Sequence, residues 1–245
     1  MTEQYLKPFQ RIQNAIQLAG FHYIVCLKAV PTNADYWISI EKKRYSFESI
    51  RTADSTELHG EFQRWAAKTV LRDLIEDFSF FLTEVYRNAI RAPLNVPYSA
   101  TFEQFERKGI EDQLAILSAD FPIDAAWISR LTGYNRARNC LAHRQGIVGP
   151  RDVTDGNDLV VRWLVAKAEA SSEPVKSTVE AIGPMRALVE AYHVHGGAVR
   201  FEVDDKERRI SSGAMLNFFP EEILEICLTF QMAAAAFSGL YQTDQ

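Results

Sequence analysis

The sequence predicts an α+β chain, mainly α: a helical bundle with an N-terminal β-hairpin and a β-containing insertion before the last helix. Three observations lead there. An apolar stripe at helical spacing (Phe62, Trp65, Val70, Leu71, Leu74, Phe78, Phe81, Leu82, Val85) runs on to Ile90. Early in the chain, the apolar runs "FHYIVCLKAV" and "YWISIEKKRYSF" flank the turn-forming "PTNAD". Late in it, "DLVVRWLV" and "AVRFEV" alternate with a period of two before one more helical pattern.

The first element is a short helix from Glu3 to Leu18, with Tyr5, Phe9, Ile12, Ile16 and Leu18 near helical spacing. The hairpin follows, and its place is expected to be peripheral. "DSTE" then offers Asp54 as a capping acid with Glu57 three residues on. The stripe that begins there makes a helix of about 50 Å, the spine of a bundle, which Pro93 stops. Beyond "APLNVPYSA", "TFEQ" has the form of a capping box, and Phe102, Phe105, Ile110, Leu114 and Leu117 continue an apolar stripe until "SADFPID" breaks it. Asp124 caps the next helix, "AAWISRLTGYNRARNCLAH", with a bend expected at Gly133 and a stop at Gly146. In "AVRFEV", Val199, Phe201 and Val203 should face inward, and Arg200, Glu202 and Asp204 outward. "STVEAIGPMRALVEAY" reads as a helix interrupted at Gly183-Pro184, and Asp204 to Arg209 as a solvated hairpin turn. The last helix opens on Pro220 followed by acids, as a helix start should. Two units result: residues 1–53, a helix and hairpin packed on the bundle, and residues 54–245, the helical domain with an α/β insertion at about 151–217.

Composition narrows the function. The chain has 245 residues, 47% of them hydrophobic, and a formal net charge of -5. An acidic balance argues against coating nucleic acid or membrane through bulk charge, while leaving room for a local cationic site. Cys26, Cys140 and Cys227 are far apart and odd in number, which argues against a disulfide framework or a thiolate zinc site and fits a reducing cytoplasm. "MTEQYLKPFQRIQ" lacks the apolar run of a signal peptide, and "ICLTFQMAAAAFSGL" falls below bilayer-spanning length. A cytoplasmic protein with no membrane partner is expected.

One such cationic site stands out in "NRARNCLAHRQG", Asn135 to Gly146. At 100° per residue, Arg136, Asn139, Cys140 and His143 share a face, whereas Arg138 sits about 140° from His143. His143 falls in the last turn, where the helix's negative end favours an imidazolium. A ring that takes and gives up protons beside fixed guanidinium charge suits phosphodiester chemistry. The competing explanation is structural: arginine and histidine near a helix C-terminus satisfy its last carbonyls.

"RARNCLAHRQGIV" resembles the signature of the HEPN superfamily, helical-bundle proteins marked by an arginine, four to six residues, then a histidine. Four residues lie between Arg138 and His143 and six between Arg136 and His143; "RN" with a histidine four residues after the asparagine, and a glycine soon after, completes the string. The likeness is sharp over residues 135–148 and extends through helix order to about 54–241. It implies metal-independent RNA cleavage, with no cofactor, in many members, and nucleotide or partner binding without cleavage in others. It makes His143 the acid/base, Arg138 the phosphate clamp and Asn139 an orienting hydrogen-bonder, with Arg136 and Arg144 as further phosphate-binding groups. It further implies a homodimer through the motif helices, RNA or a nucleotide as ligand, a toxin or phage-defence setting and an antitoxin or regulatory protein as partner. A carboxylate from the long helix often assists in the family; Asp73, Glu76, Asp77 and Glu84 are the candidates. The β-rich start and the insertion depart from the minimal bundle.

Other constellations carry less. His193 and His195 in "YHVHGG" have a spacing that can chelate a metal, yet no third ligand stands out. Cys140, on the motif face, is more readily a small core residue than a nucleophile. Arg130, Arg144 and Arg151 extend the cationic surface or serve as salt partners. Walker loop, dinucleotide fingerprint and nucleophile elbow are all missing from the sequence.

Overall fold

The computed structural model describes residues 3–29, 37–46, 55–91, 97–171 and 198–240. It is mainly helical, with two antiparallel two-stranded ribbons, in the order α1 (Glu3–Ala29), β1 (Trp37–Ile40), β2 (Lys43–Ser46), α2 (Ser55–Arg91), α3 (Phe102–Glu106), α4 (Ile110–Asp120), α5 (Ala125–His143), β3 (Asp158–Ser171), β4 (Ala198–Ser211) and α6 (Pro220–Ser238).

The spine is α2, whose 37 residues measure about 55 Å. Its stripe of Leu71, Leu74, Phe78, Leu82 and Val85 is fully buried. Each such side chain contributes on the order of 1.5–3 kcal/mol relative to exposure. Phe78 lies edge-on to Phe230 and Phe237 of α6, with centroids 5.3 and 5.8 Å away. Helix α1 packs on both α2 and α6, and its Gln13 Nε2 donates to the Gln231 carbonyl at 3.1 Å.

Helix α1 overturns one expectation. "FHYIVCLKAV" is not a strand but the continuation of this helix to Ala29. Ile12, Ile16, Ala19 and Tyr23 recur at helical spacing and are buried against the bundle. The run looks continuous only because Leu18, Phe21, Ile24 and Val25, on the other side, are apolar and exposed. The hairpin exists, but "YWISIEKKRYSF" makes both its strands, paired Trp37↔Ser46 to Ile40↔Lys43. Its turn is Glu41-Lys42, both at positive φ (49° and 67°), the geometry two-residue hairpins prefer. The expected turn "PTNAD" and the Asp54 cap lie outside the described residues.

The stripe from Phe102 to Leu117 divides into two helices. Thr101 and Gln104 do form a capping box, but α3 ends after five residues, and Gly109, extended, serves as N-cap of α4. At α5 the predicted bounds hold: Asp124 Oδ1 accepts from the Ala126 N–H at 2.8 Å. Gly146 (φ 86°) turns the chain away and donates to the Cys140 carbonyl. Gly133 does not interrupt the helix. A Cβ there would stand 2.8 Å from the Val160 carbonyl oxygen, so the glycine admits the backbone of β3.

Strands β3 and β4 pair over their full 14 residues, Asp158↔Ser211 to Ser171↔Ala198. Leu159, Val161 and Trp163 are buried. Trp163 Nε1 donates to Glu225 at 2.6 Å, and the Leu164 N–H to Thr229 Oγ1 at 2.9 Å, so the ribbon docks on α6. Asp204 to Arg209 lie within β4 rather than in a turn, and Val203 is exposed rather than inward-facing. Cross-strand pairs explain this charged stretch as ribbon: Arg162 meets Glu207 at 3.0 Å, and Lys167 pairs with Asp204. The expected helix between the strands, with His193 and His195, lies outside the described residues.

Candidate functional site

Helix α5 buries Leu131, Tyr134, Ala137, Cys140 and Leu141 against the core. That leaves Asn135, Arg136, Arg138, Asn139 and His143 partly or fully open along its outer side. The cations there fall into two groups.

The first group is locked into the structure. Arg136 pairs with Glu111 Oε2 at 2.6 Å and donates to the Arg151 carbonyl at 2.6 Å, while Glu111 Oε1 accepts from Asn135 at 2.6 Å. Arg144 grips Asp152 with two nitrogens, Nε at 2.6 Å and a terminal nitrogen; Asp152, fully buried, also accepts from the Gly149 N–H at 2.8 Å. Arg130, itself buried, pairs with Asp205 of β4 and lies 5.0 Å over the Trp127 ring. These three tie α5 to α4, to the loop that follows it and to the ribbon. Sequence reasoning offered Arg136 and Arg144 as phosphate binders and missed the carboxylates that hold them.

Arg138 and His143 make up the second group. His143 sits exposed in the last turn of α5, and among the described residues no hydrogen bond or ion pair holds its ring. Arg138 is a quarter exposed and lines an open cleft of about 460 Å³ together with Glu76, Ser79, Glu111, Asp112 and Asn135. Its Nη1 donates to Asn139 Oδ1 at 2.8 Å, which orients the guanidinium. Its Nη2 donates to Glu76 Oε1 at 3.2 Å, and its Nε is buried without a partner. Of the four candidate acids on the long helix, Glu76 reaches Arg138. Asp73 pairs with Arg72 and Glu84 with Arg87, while Asp77 lines a separate crevice beside Arg11 and Phe80 of the α1–α2 seam. Burial, then the charges of Asp73 and Glu76, push the Asp77 carboxyl upward.

His143 does not line the Arg138 cleft. Within one chain the two residues look out from different parts of the helix surface, as the wheel requires. Cys140, on the face shared with His143, points inward: burial, then the Asp152 charge, push its thiol up to about 11, so at neutral pH it is a protonated core group and no nucleophile. Among the described residues no cluster of His, Cys, Asp or Glu could hold a metal ion, and no helix is long and apolar enough to cross a membrane.

Comparison of the chain with models of known families, with curated proteins and with solved structures finds no match in any of the three.

Proposed function

We propose that this chain is a metal-independent RNA endonuclease of HEPN type, working in the cytoplasm as a homodimer through α5. One observation carries the reading: within a segment whose Arg136, Arg138 and Arg144 all pair with carboxylates, the His143 ring is open to solvent and unpartnered among the described residues. The arginines, tied to acids and to a carbonyl within one chain, fit a structural role, and the histidine makes no such tie among the described residues. Arg138, on an open cleft and paired with the exposed Glu76, is the guanidinium that this reading gives to phosphate.

The chemistry then needs two proton carriers. A ribose 2′-oxygen attacks the adjacent phosphorus, the bond to the 5′-oxygen breaks, and a 2′,3′-cyclic phosphate and a 5′-hydroxyl result. One His143 takes the 2′-OH proton, the partner subunit's His143 protonates the departing oxygen, and Arg138 steadies the added negative charge on phosphorus. Pairing of the motif helices supplies both rings and brings a guanidinium to a histidine that a single chain keeps apart from it. A toxin or phage-defence effector of this kind would have an antitoxin-like protein as its regulator.

Purified wild-type dimer should cleave single-stranded RNA in EDTA and leave cyclic phosphate ends. His143→Ala should lose at least ~100-fold in rate at an unchanged melting temperature, because the ring is exposed. Intact RNA after prolonged incubation with excess wild-type enzyme defeats the endonuclease reading.

A second reading has its own support. The formal net charge of -5 and the two β-ribbons added to the helices favour a module that binds a nucleotide or protein partner without cleaving. There, Arg138→Ala weakens binding of the nucleotide and wild type yields no RNA product.

A further inference from the structure

Resting on the assignment of Arg138 to phosphate, we infer that Glu76 is a built-in placeholder: its carboxylate occupies the guanidinium edge that an RNA phosphate takes, and phosphate entry requires its departure. Three carboxylates line the Arg138 cleft, Glu76, Glu111 and Asp112. Glu111 is engaged by Arg136 and Asn135, and Asp112 by Lys108 at 3.5 Å. Glu76 and Arg138 are left to each other, so the cleft has no surplus positive charge with which to attract an anion. Their contact is also incomplete. Glu76 reaches one terminal nitrogen at 3.2 Å, against 2.6 Å for the Arg136–Glu111 pair. A guanidinium edge is best met by two oxygens at once, which a phosphate presents and this carboxylate does not supply. The Glu76 side chain is 58% exposed, so it moves into water without breaking any other bond of the described structure. Exposed pairs of this kind are worth up to about 1 kcal/mol. The latch therefore weakens phosphate binding by up to about fivefold and gives way to a ligand with several phosphates.

The test uses the full-length protein and a 2′-O-methyl oligoribonucleotide, which carries RNA phosphates but no attacking hydroxyl, with inorganic phosphate and AMP as parallel probes. Glu76→Gln should bind the oligonucleotide about three- to fivefold more tightly than wild type, by the pair strength above. Asp73→Asn, which removes the same charge from a neighbouring turn where Arg72 holds it, should not. Arg138→Ala in the Glu76→Gln background should abolish the gain. Tighter binding of inorganic phosphate or AMP alone would assign the latch to a free ligand and overturn the RNA form of the inference. Equal affinities for wild type and Glu76→Gln, or an equal gain in Asp73→Asn, would overturn it altogether. Because the probe resists cleavage, a latch seen without any nuclease activity leaves this inference standing while the endonuclease reading falls.

Discussion

Asp152 shows how much of the motif segment's charge is architectural. Its carboxylate has no contact with water and accepts from Arg144 twice and from the Gly149 N–H. Removing one partner of such a pair leaves an uncompensated charge indoors, at a cost of several kcal/mol when both are buried. Arg144 is 31% exposed and can rehydrate, which lowers the figure. Asp152→Ala is therefore expected to destabilise the chain by about 2–3 kcal/mol in urea unfolding. A change under 1 kcal/mol would show that the pair is held loosely. The placing of His143 in the last turn of α5, with Arg138 round the helix from it, was legible in the sequence because spacing along one helix fixes it. Glu111 and Asp152 were not, since nothing local distinguishes an acid that pairs with an arginine 25 residues away from one that meets only solvent.

Helix α5 and the ribbon come into backbone contact where Gly133 faces Val160. A methyl group at that position would sit 2.8 Å from a carbonyl oxygen that belongs to a paired strand and cannot simply rotate aside. Gly133→Ala should thus lower stability by about 1–3 kcal/mol despite alanine's better helix propensity. A stabilised variant in thermal melts would mean the ribbon yields easily. Element bounds were readable wherever a cap or stop coincided with the end of a stripe, as at Asp124 and Gly146. They were misread in "FHYIVCLKAV", where β-branched and aromatic residues are dense and both helix faces are apolar, so neither period shows. The charged run in β4 was misread for the opposite reason. Its acids and bases look like a solvated turn until β3 supplies partners for them across the ribbon.

For the molecule as a whole, the core imposes a pH ceiling. Burial pushes the Cys140 thiol up to about 11 and the Cys227 thiol up to about 12, from an ordinary value of 9.0. The folded chain keeps these protons where the unfolded chain gives them up, so their contribution is complete below pH 9. It is lost as pH rises from there through the folded values. Tyr23 and Tyr86, raised to about 12 mainly by burial, extend the same trend above pH 10. The melting temperature should stay level to about pH 8.5 and then fall. In Cys140→Ser the first part of that fall should be shallower; equal slopes for the two proteins would contradict the assignment. The helical class of the fold was legible from the α2 stripe alone. That α1 packs on the bundle was legible too, but its length to Ala29 was not, because its last turns are apolar on both faces.

The division of the motif cations also bears on how genetics of this segment will read. A screen that replaces each arginine in turn and scores survival would flag Arg144 as strongly as any group that handles substrate, because losing it exposes an interior acid and depletes the cell of folded protein. Only replacements whose abundance matches the parent speak to chemistry, and by that standard His143, standing clear of the packed interior, is the informative position.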